Sequence, residues 1–174
     1  MSTESEHIEK IRGWLTGRLP ADWFEGVPEV LLDREEITVI GTLAPPVTAE
    51  GASEAEQAAA VSGRVREFRE RTRDQRIAIA RELEHKTGRK VAWGVQVADR
   101  RELFTTLSVP VMTRLRQPER QVLDTLVDAG VARSRSEALA WCVKLVGKNA
   151  DGWLGDLREA MEEVSRVRAE GPGA

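Results

Sequence analysis

The chain has 174 residues, of which 32% are charged and 41% hydrophobic, and its formal net charge at pH 7 is −3. It is therefore long enough to bury a core, as one domain or as two small ones. The near-neutral balance excludes a wholly polybasic nucleic-acid coat. One cysteine, Cys142, and two histidines, His7 and His85, exclude a disulfide within the chain and a zinc site built from cysteine and histidine.

The sequence contains no apolar run of 18 or more residues, and its first ten residues lack the charged-then-apolar pattern of a secretion signal. We therefore predict a cytoplasmic protein without a membrane segment. It also contains no glycine-rich phosphate loop, no Ser/His/Asp set and no Cys/His pair. We accordingly expect no enzymatic activity, no cofactor and no bound metal.

Residues 1–108 are predicted to form a small α+β domain. A helix is expected over residues 5–19, because Ile8, Ile11, Trp14 and Leu15 recur at helical spacing. Two β-branched runs on either side of the polar segment 33–36 predict a β-hairpin, and the acids of that segment are interpreted as turn residues. Strand character returns over residues 90–107.

One long helix is predicted between the hairpin and the last strand region. Ser53 and Glu56 form a capping-box pattern at its start, and Gly88 is suited to a left-handed cap at its end. Residues 64–76 of this helix hold six arginines interleaved with three acids. We interpret them as a solvated helix face rather than as a contact to flanking DNA, because the acids would repel phosphates.

Positive charge is concentrated in the C-terminal half. Residues 111–148 hold seven basic and four acidic residues, a net charge of +3, which leaves −6 for the rest of the chain. The basic residues are Arg114, Arg116, Arg120, Arg133, Arg135, Lys144 and Lys148. This distribution indicates a basic module carried on an acidic body.

The module begins with a predicted strand over Val111–Arg116, whose side chains alternate between two faces. One face carries Val111, Thr113 and Leu115, and the other carries Met112, Arg114 and Arg116. Pro118 is suited to the first turn of a following helix, which Gly130 ends. Ser134, with Glu137 three residues later, predicts the start of a second helix, which Gly147 and the following KNADG, residues 148–152, interrupt. A third, amphipathic helix is expected within residues 148–174.

The stretch MTRLRQPERQVLDTLVDAGVARSRSEALAWCVKLV, residues 112–146, carries this strand-helix-turn-helix order. It resembles the ribbon-helix-helix (Arc/methionine-repressor-like) family of DNA-binding proteins. Gln117 departs from the apolar residue that this family often has before the proline. The resemblance covers about a quarter of the chain and is confined to residues 109–147.

The resemblance implies a homodimer in which two copies of the strand pair into an antiparallel ribbon that enters the DNA major groove. The residues that would read base edges are Met112, Arg114 and Arg116. The residues that would bind phosphates at the start of the second helix are Arg133, Ser134, Arg135 and Ser136. The dimer core would comprise Val111, Thr113, Leu115, Leu139, Cys142 and Val143.

The sequence thus predicts an α+β protein in three parts: the domain 1–108, the DNA-binding module 109–147, and the C-terminal helix and tail 148–174. Its expected function is sequence-specific transcription regulation, for example repression, on double-stranded DNA of the nucleoid. Two alternatives stay open, in which residues 1–108 hold a protein partner, as in an antitoxin-like protein, or bind a small-molecule effector. A third reading takes Arg114 and Arg116 as charges that guard a solvated edge strand.

Overall fold

The computed structural model describes residues 3–170. Within this range the chain forms two compact units, Thr3–Val109 and residues 110–170. The sequence places a boundary after residue 108. Residues 1–2 and 171–174, which the predicted first and third parts include, lie outside the described residues.

The Thr3–Val109 unit, here called the N-terminal unit, combines three helices with a four-stranded sheet. The helices are α1 (Thr3–Arg18), α2 (Glu54–Arg71) and α3 (Arg73–Thr87), and the strands are β1 (Glu29–Leu32), β2 (Glu36–Thr42), β3 (Lys90–Val97) and β4 (Arg100–Leu103). The strands lie in chain order, with β1–β2 and β3–β4 antiparallel and β2–β3 parallel. A parallel pair needs a long crossover, which α2 and α3 supply. The predicted α+β class is confirmed.

The predicted hairpin is confirmed by the pairing of β1 with β2, in which Leu32 faces Ile37. Oδ1 of Asp33 accepts hydrogen bonds from the backbone N–H groups of Glu35 and Glu36 at 2.8 and 2.7 Å. This arrangement is an aspartate-stabilised turn, which accounts for the acidic cluster.

The core of the N-terminal unit lies between one face of the sheet and the helices. Every second residue of β2 and β3 is buried there, as the two-residue repeat of a strand requires. These residues are Ile37, Val39, Trp93, Val95 and Val97, and they share one cluster with Leu15, Trp23, Phe68, Ile79 and Leu83. Trp23 and Trp93 therefore pack in the core of this unit.

The prediction of one continuous helix from Ser53 to Gly88 is wrong, because the helix is interrupted at Thr72. Both predicted ends are confirmed: Oγ of Ser53 accepts from the backbone N–H of Glu56 at 3.2 Å, and Gly88 has a left-handed φ of 71°. Thr72 is fully buried, and its hydroxyl donates to the carbonyl of Phe68 at 2.6 Å. A threonine that bonds back to the preceding turn bends a helix, which explains the break.

A buried arginine stabilises this break. Nε of Arg76 donates to Oγ1 of Thr72 at 2.9 Å, and its Nη2 donates to the carbonyl of Arg69 at 2.7 Å. Its guanidinium lies 4.8 Å from the ring centre of Phe104, which follows β4. Arg76 therefore connects the α2–α3 junction to the chain that leaves the sheet.

Residues 110–170, here called the C-terminal unit, contain three helices: α4 (Gln117–Asp128), α5 (Arg135–Asn149) and α6 (Asp151–Glu170). Pro118 lies in the first turn of α4, and Gly130 follows it with a φ of 72°. The interruption predicted over residues 147–152 is found at Ala150, which alone separates α5 from α6, so α5 extends past Gly147 to Asn149.

Position 41 on β2 holds a glycine because there is no space for a side chain there. A β-carbon added at this position would overlap the ring of Phe24, which packs against Phe68 at a ring-centre distance of 5.4 Å. Gly63, on the exposed side of α2, has open space instead.

We predict opposite effects of alanine at these two positions. Gly41→Ala should lower the free energy of unfolding by about 1–3 kcal/mol, because the aromatic cluster would have to move. Gly63→Ala should raise it by about 0.5–1 kcal/mol, because alanine favours the helix. Urea denaturation followed by circular dichroism measures both free energies of unfolding. Equal changes in the two variants would contradict the assigned position of Phe24.

Candidate nucleic-acid interface

The C-terminal unit has a small core of its own. Leu123, Ala132 and Ala138 are buried, and Ala138 is completely so. The partly buried residues around them are Leu115, Leu126, Val127, Leu139 and Cys142. All of these residues come from α4, α5 and the segments directly beside them.

The helices α5 and α6 expose many large apolar side chains in the single chain. These residues are Trp141, Val143, Leu145, Val146, Trp153, Leu157, Val164 and Val167. An exposed apolar surface of this extent marks a contact site, since monomeric proteins rarely leave such surface open to water.

The predicted strand Val111–Arg116 is not formed in the single chain, where residues 105–116 have no regular secondary structure. The physical reason is that a strand needs a partner for its backbone groups, and the described chain supplies none here. Arg116 nevertheless has extended backbone angles, with φ −80° and ψ 174°, and its carbonyl accepts the N–H of Arg120 at the start of α4.

The three predicted base-reading residues lie on this extended segment. Met112 is 97% exposed, and Arg114 and Arg116 are exposed as well. Neither arginine has an ion-pair partner among the described residues. Their guanidinium groups are therefore available to an external acceptor.

The predicted phosphate-binding residues surround the start of α5. Oγ of Ser134 accepts from the backbone N–H of Glu137 at 3.2 Å, which confirms the predicted cap. The carboxylate of Glu137 accepts from the backbone N–H of Arg133 at 2.8 Å and from its Nε at 3.1 Å. The first two backbone N–H groups of the helix, those of Arg135 and Ser136, have no acceptor within residues 3–170.

Arg135 is held by a residue that the sequence reading missed. Its Nε and Nη2 donate to the two carboxylate oxygens of Asp124 on α4, at 2.6 and 2.8 Å. The two residues are eleven positions apart on different helices, so no helical spacing rule relates them. This ion pair connects α4 with α5 and leaves three N–H groups of Arg135 free to donate elsewhere.

These contacts shift the pKa values in the Asp124–Arg135 and Glu137–Arg133 pairs in the directions that favour the charged forms. The hydrogen bond from Arg135 lowers the pKa of Asp124, and the same contact raises the pKa of Arg135. The hydrogen bonds from the side chain and backbone of Arg133 lower the pKa of Glu137. All four groups therefore stay charged at neutral pH.

The predicted dimer-core residues are only partly covered within one chain. Val111 is 85% exposed, Val143 is 65% exposed, and Thr113 is also exposed, although it was expected to face the helices. Leu115, Leu139 and Cys142 are half-buried against the small core. Within one chain, therefore, the half-buried residues Leu115, Leu139 and Cys142 pack together. The exposed residues Val111, Thr113 and Val143 have no surface to pack against.

Two other kinds of site find no support in the part of the chain that is described. Residues 3–170 contain no group of three or more side chains suited to hold a metal ion. No helix in that range combines the length and apolar character needed to cross a membrane.

Sequence comparison covers both units. Residues 9–103 match the family described as the Rv1265-like protein N-terminal domain, and residues 116–168 match the Mb1296 C-terminal domain. The chain is 61% identical to protein Mb1296 of Mycobacterium bovis and to protein Rv1265 of Mycobacterium tuberculosis over 159 residues. Each match covers 91% of this chain and 69% of the relative, and both relatives are described as uncharacterized. No solved structure matches the chain significantly.

The Asp124–Arg135 pair generates a prediction about pH. Because the pKa of Asp124 lies below its ordinary 3.8 in the folded chain, the pair stabilises the fold above pH 3.8. That contribution is lost as the pH falls through the lower folded value. Asp124→Asn should therefore lower the melting temperature slightly at neutral pH, as for other exposed ion pairs, and less in acid.

The matched control is Asp128→Asn on the same helix, since no ion pair of Asp128 occurs within the described residues. Thermal denaturation at a series of pH values measures both variants. A pH-independent difference between Asp124→Asn and the parent protein would show that the pair does not stabilise the fold.

Proposed function

The chain belongs to the Rv1265-like protein family, and from that premise we propose that it is a homodimeric, sequence-specific DNA-binding protein. Its role would be transcription regulation in the cytoplasm, at the nucleoid. One observation carries the proposal: within the described residues, the extended segment before α4 pairs with no strand and presents two arginines without acid partners.

A second copy of the chain is the partner that this segment requires. Its backbone groups would pair with the same segment of the other copy, and an antiparallel ribbon would result. Such a ribbon would cover Val111 and bring Val143 of the two copies to a common core. The apolar surface of α5 supports this arrangement, because it stays uncovered in the single chain.

Double-stranded DNA is the ligand that suits the outer face of the ribbon. The major groove admits a two-stranded ribbon, and an arginine can donate two hydrogen bonds to O6 and N7 of guanine. Met112 is exposed on the same face and can contact the methyl group of thymine. Arg114 and Arg116 would then select the sequence.

The start of α5 suits a phosphate of the DNA backbone. The free N–H groups of Arg135 and Ser136 point along the helix axis, where the helix dipole also favours an anion. Arg135 can add a charged donor without leaving Asp124, because three of its N–H groups stay unused. Contacts of this kind position a protein on DNA without reading its sequence.

We predict that the protein is a dimer at micromolar concentration, with twice the chain mass of 19.3 kDa. Val143→Asp should convert it into a monomer, because the charge would be buried between copies although residue 143 is exposed within one chain. Light scattering measures the mass. Val47→Asp, at a fully exposed position of the N-terminal unit, is the matched control and should stay dimeric. A folded wild-type monomer would exclude the ribbon.

We predict that Arg114→Ala weakens binding to the preferred site by about 1–3 kcal/mol and relaxes the preference at one base pair per half-site. Binding to unrelated DNA should change much less. Selection from random duplexes, followed by titration of the selected sites, measures both quantities.

Two variants serve as controls for this prediction. Thr113→Val should preserve the sequence preference, because residue 113 would lie on the inner face of the ribbon. Arg135→Ala should weaken binding to all DNA sequences alike and make the affinity less dependent on salt. The slope of log binding constant against log salt concentration is about −0.9 per neutralised phosphate. The opposite result is that Arg114→Ala selects the same sites as the parent protein while Thr113→Val selects different ones. It would mean that the base-reading and inner faces are assigned the wrong way round.

A further inference from the structure

Five arginines line a cavity of about 640 Å³ in the N-terminal unit. They are Arg66, Arg69, Arg73, Arg76 and Arg100, and they come from α2, α3 and β4. Two acids, Glu70 and Glu102, also line it, so the charged residues of the wall carry a net charge of +3. A cavity of this size matches a small-molecule site, since such sites span roughly 300 to 1,000 Å³.

Arg76 is the most deeply placed of the five, with only 6% of its surface exposed. Two of its N–H groups bind Thr72 and Arg69, as described above, while no acceptor for Nη1 occurs within residues 3–170. The only wholly buried side-chain nitrogen or oxygen without a partner in that range is Nε1 of Trp93. Nη1 of Arg76 is therefore not wholly buried, and Arg76 lines the cavity.

The charge of Arg76 is not neutralised by the described protein. No carboxylate forms an ion pair with Arg76 or with Arg69 among the described residues. Burial lowers the pKa of Arg76, and the charges of Arg69 and Arg73 lower it further. A buried cation next to two others is costly unless an anion compensates it.

The remaining arginines divide into paired and available groups. Arg66 binds Glu70 at 2.9 Å, and Arg100 binds Glu102 at 3.4 Å, so these two are largely compensated. Arg73 keeps 72% of its side chain exposed, and its contact with Asp74 is long, at 3.8 Å. Arg69 and Arg76 are thus uncompensated and Arg73 is only weakly paired, and these three are here called the arginine triad.

We propose that this cavity binds an organic phosphate, with the phosphate on the arginine triad and the organic part against Ile77. Guanidinium groups bind phosphate oxygens through paired, charge-assisted hydrogen bonds. Ile77 supplies an apolar wall that is 38% exposed, and the cavity is larger than a phosphate alone requires. The proposal uses only the N-terminal unit and holds whether or not the C-terminal unit binds DNA.

A small molecule suits this site better than the DNA backbone. The site is concave, and the carboxylates of Glu70 and Glu102 lie in its wall, where they would repel the successive phosphates of a duplex.

Calorimetric titration of the full chain with phenyl phosphate tests the proposal. Saturable binding is expected, and Arg73→Gln should weaken it about tenfold or more, as the loss of a charge-assisted hydrogen bond does. Arg81→Gln is the matched control, because Arg81 is exposed on the same helix outside the cavity and should leave the affinity unchanged. Equal weakening by the two variants would reduce the effect to net charge and overturn the site.

Two further measurements distinguish the two ends of the ligand. Ile77→Thr should weaken phenyl phosphate and leave pyrophosphate unaffected, since only phenyl phosphate has an apolar part. Benzoate should bind more weakly than phenyl phosphate, and equal affinities would refute the phosphate assignment. Displacement of phenyl phosphate by a short DNA duplex, lost in Arg73→Gln, would assign the cavity to nucleic acid instead and overturn the proposal.

Discussion

The position of Arg76 constrains both the crossover between β2 and β3 and the cavity beside it. A buried guanidinium must find hydrogen bonds, and here the hydroxyl of Thr72 and the carbonyl of Arg69 accept them. Both acceptors lie at the junction of α2 and α3, and the ring of Phe104 covers the remaining face of the group. Arg76 therefore joins the bend to the chain that follows β4 and adds the most deeply buried positive charge of the cavity.

The two units differ in how far they bury their own apolar residues. The N-terminal unit has a continuous core in which Leu15, Ile37 and Val39 are completely buried. Among the described residues of the C-terminal unit only three apolar ones, around Leu123, are buried, although its helices are of similar length. Small units with little core are marginally stable alone and often depend on association. This contrast, rather than charge, is the physical reason to assign a second copy to the C-terminal unit.

The parts of the fold that the sequence predicts are those set by local chemistry. Ser53 and Ser134 begin helices and Gly88 ends one because each acts on backbone groups within four residues. The break at Thr72 escaped prediction because the burial of the threonine hydroxyl, and the contact of Arg76 with the distant ring of Phe104, are set by the tertiary fold. The pairing of Arg135 with Asp124, and the hydrogen bond that Arg100 of β4 donates to Ser62 of α2, are likewise contacts between separate elements. The strand predicted before α4 is not formed, because no described segment pairs with its backbone.

The arginines of residues 64–76 look alike in the sequence but have different surroundings in the folded chain. Interleaved acids suggest a solvated face, and Arg66 does pair with Glu70 on that face. The acids do not reach Arg76, however, because its side chain turns inward at the bend. If the cavity binds a phosphate and the C-terminal unit binds DNA, any coupling must be reciprocal: each ligand would change the affinity of the other by the same factor. An effect of phenyl phosphate on DNA affinity would then require an equal effect of DNA on phenyl phosphate, while independence of the two would confine each ligand to its own unit.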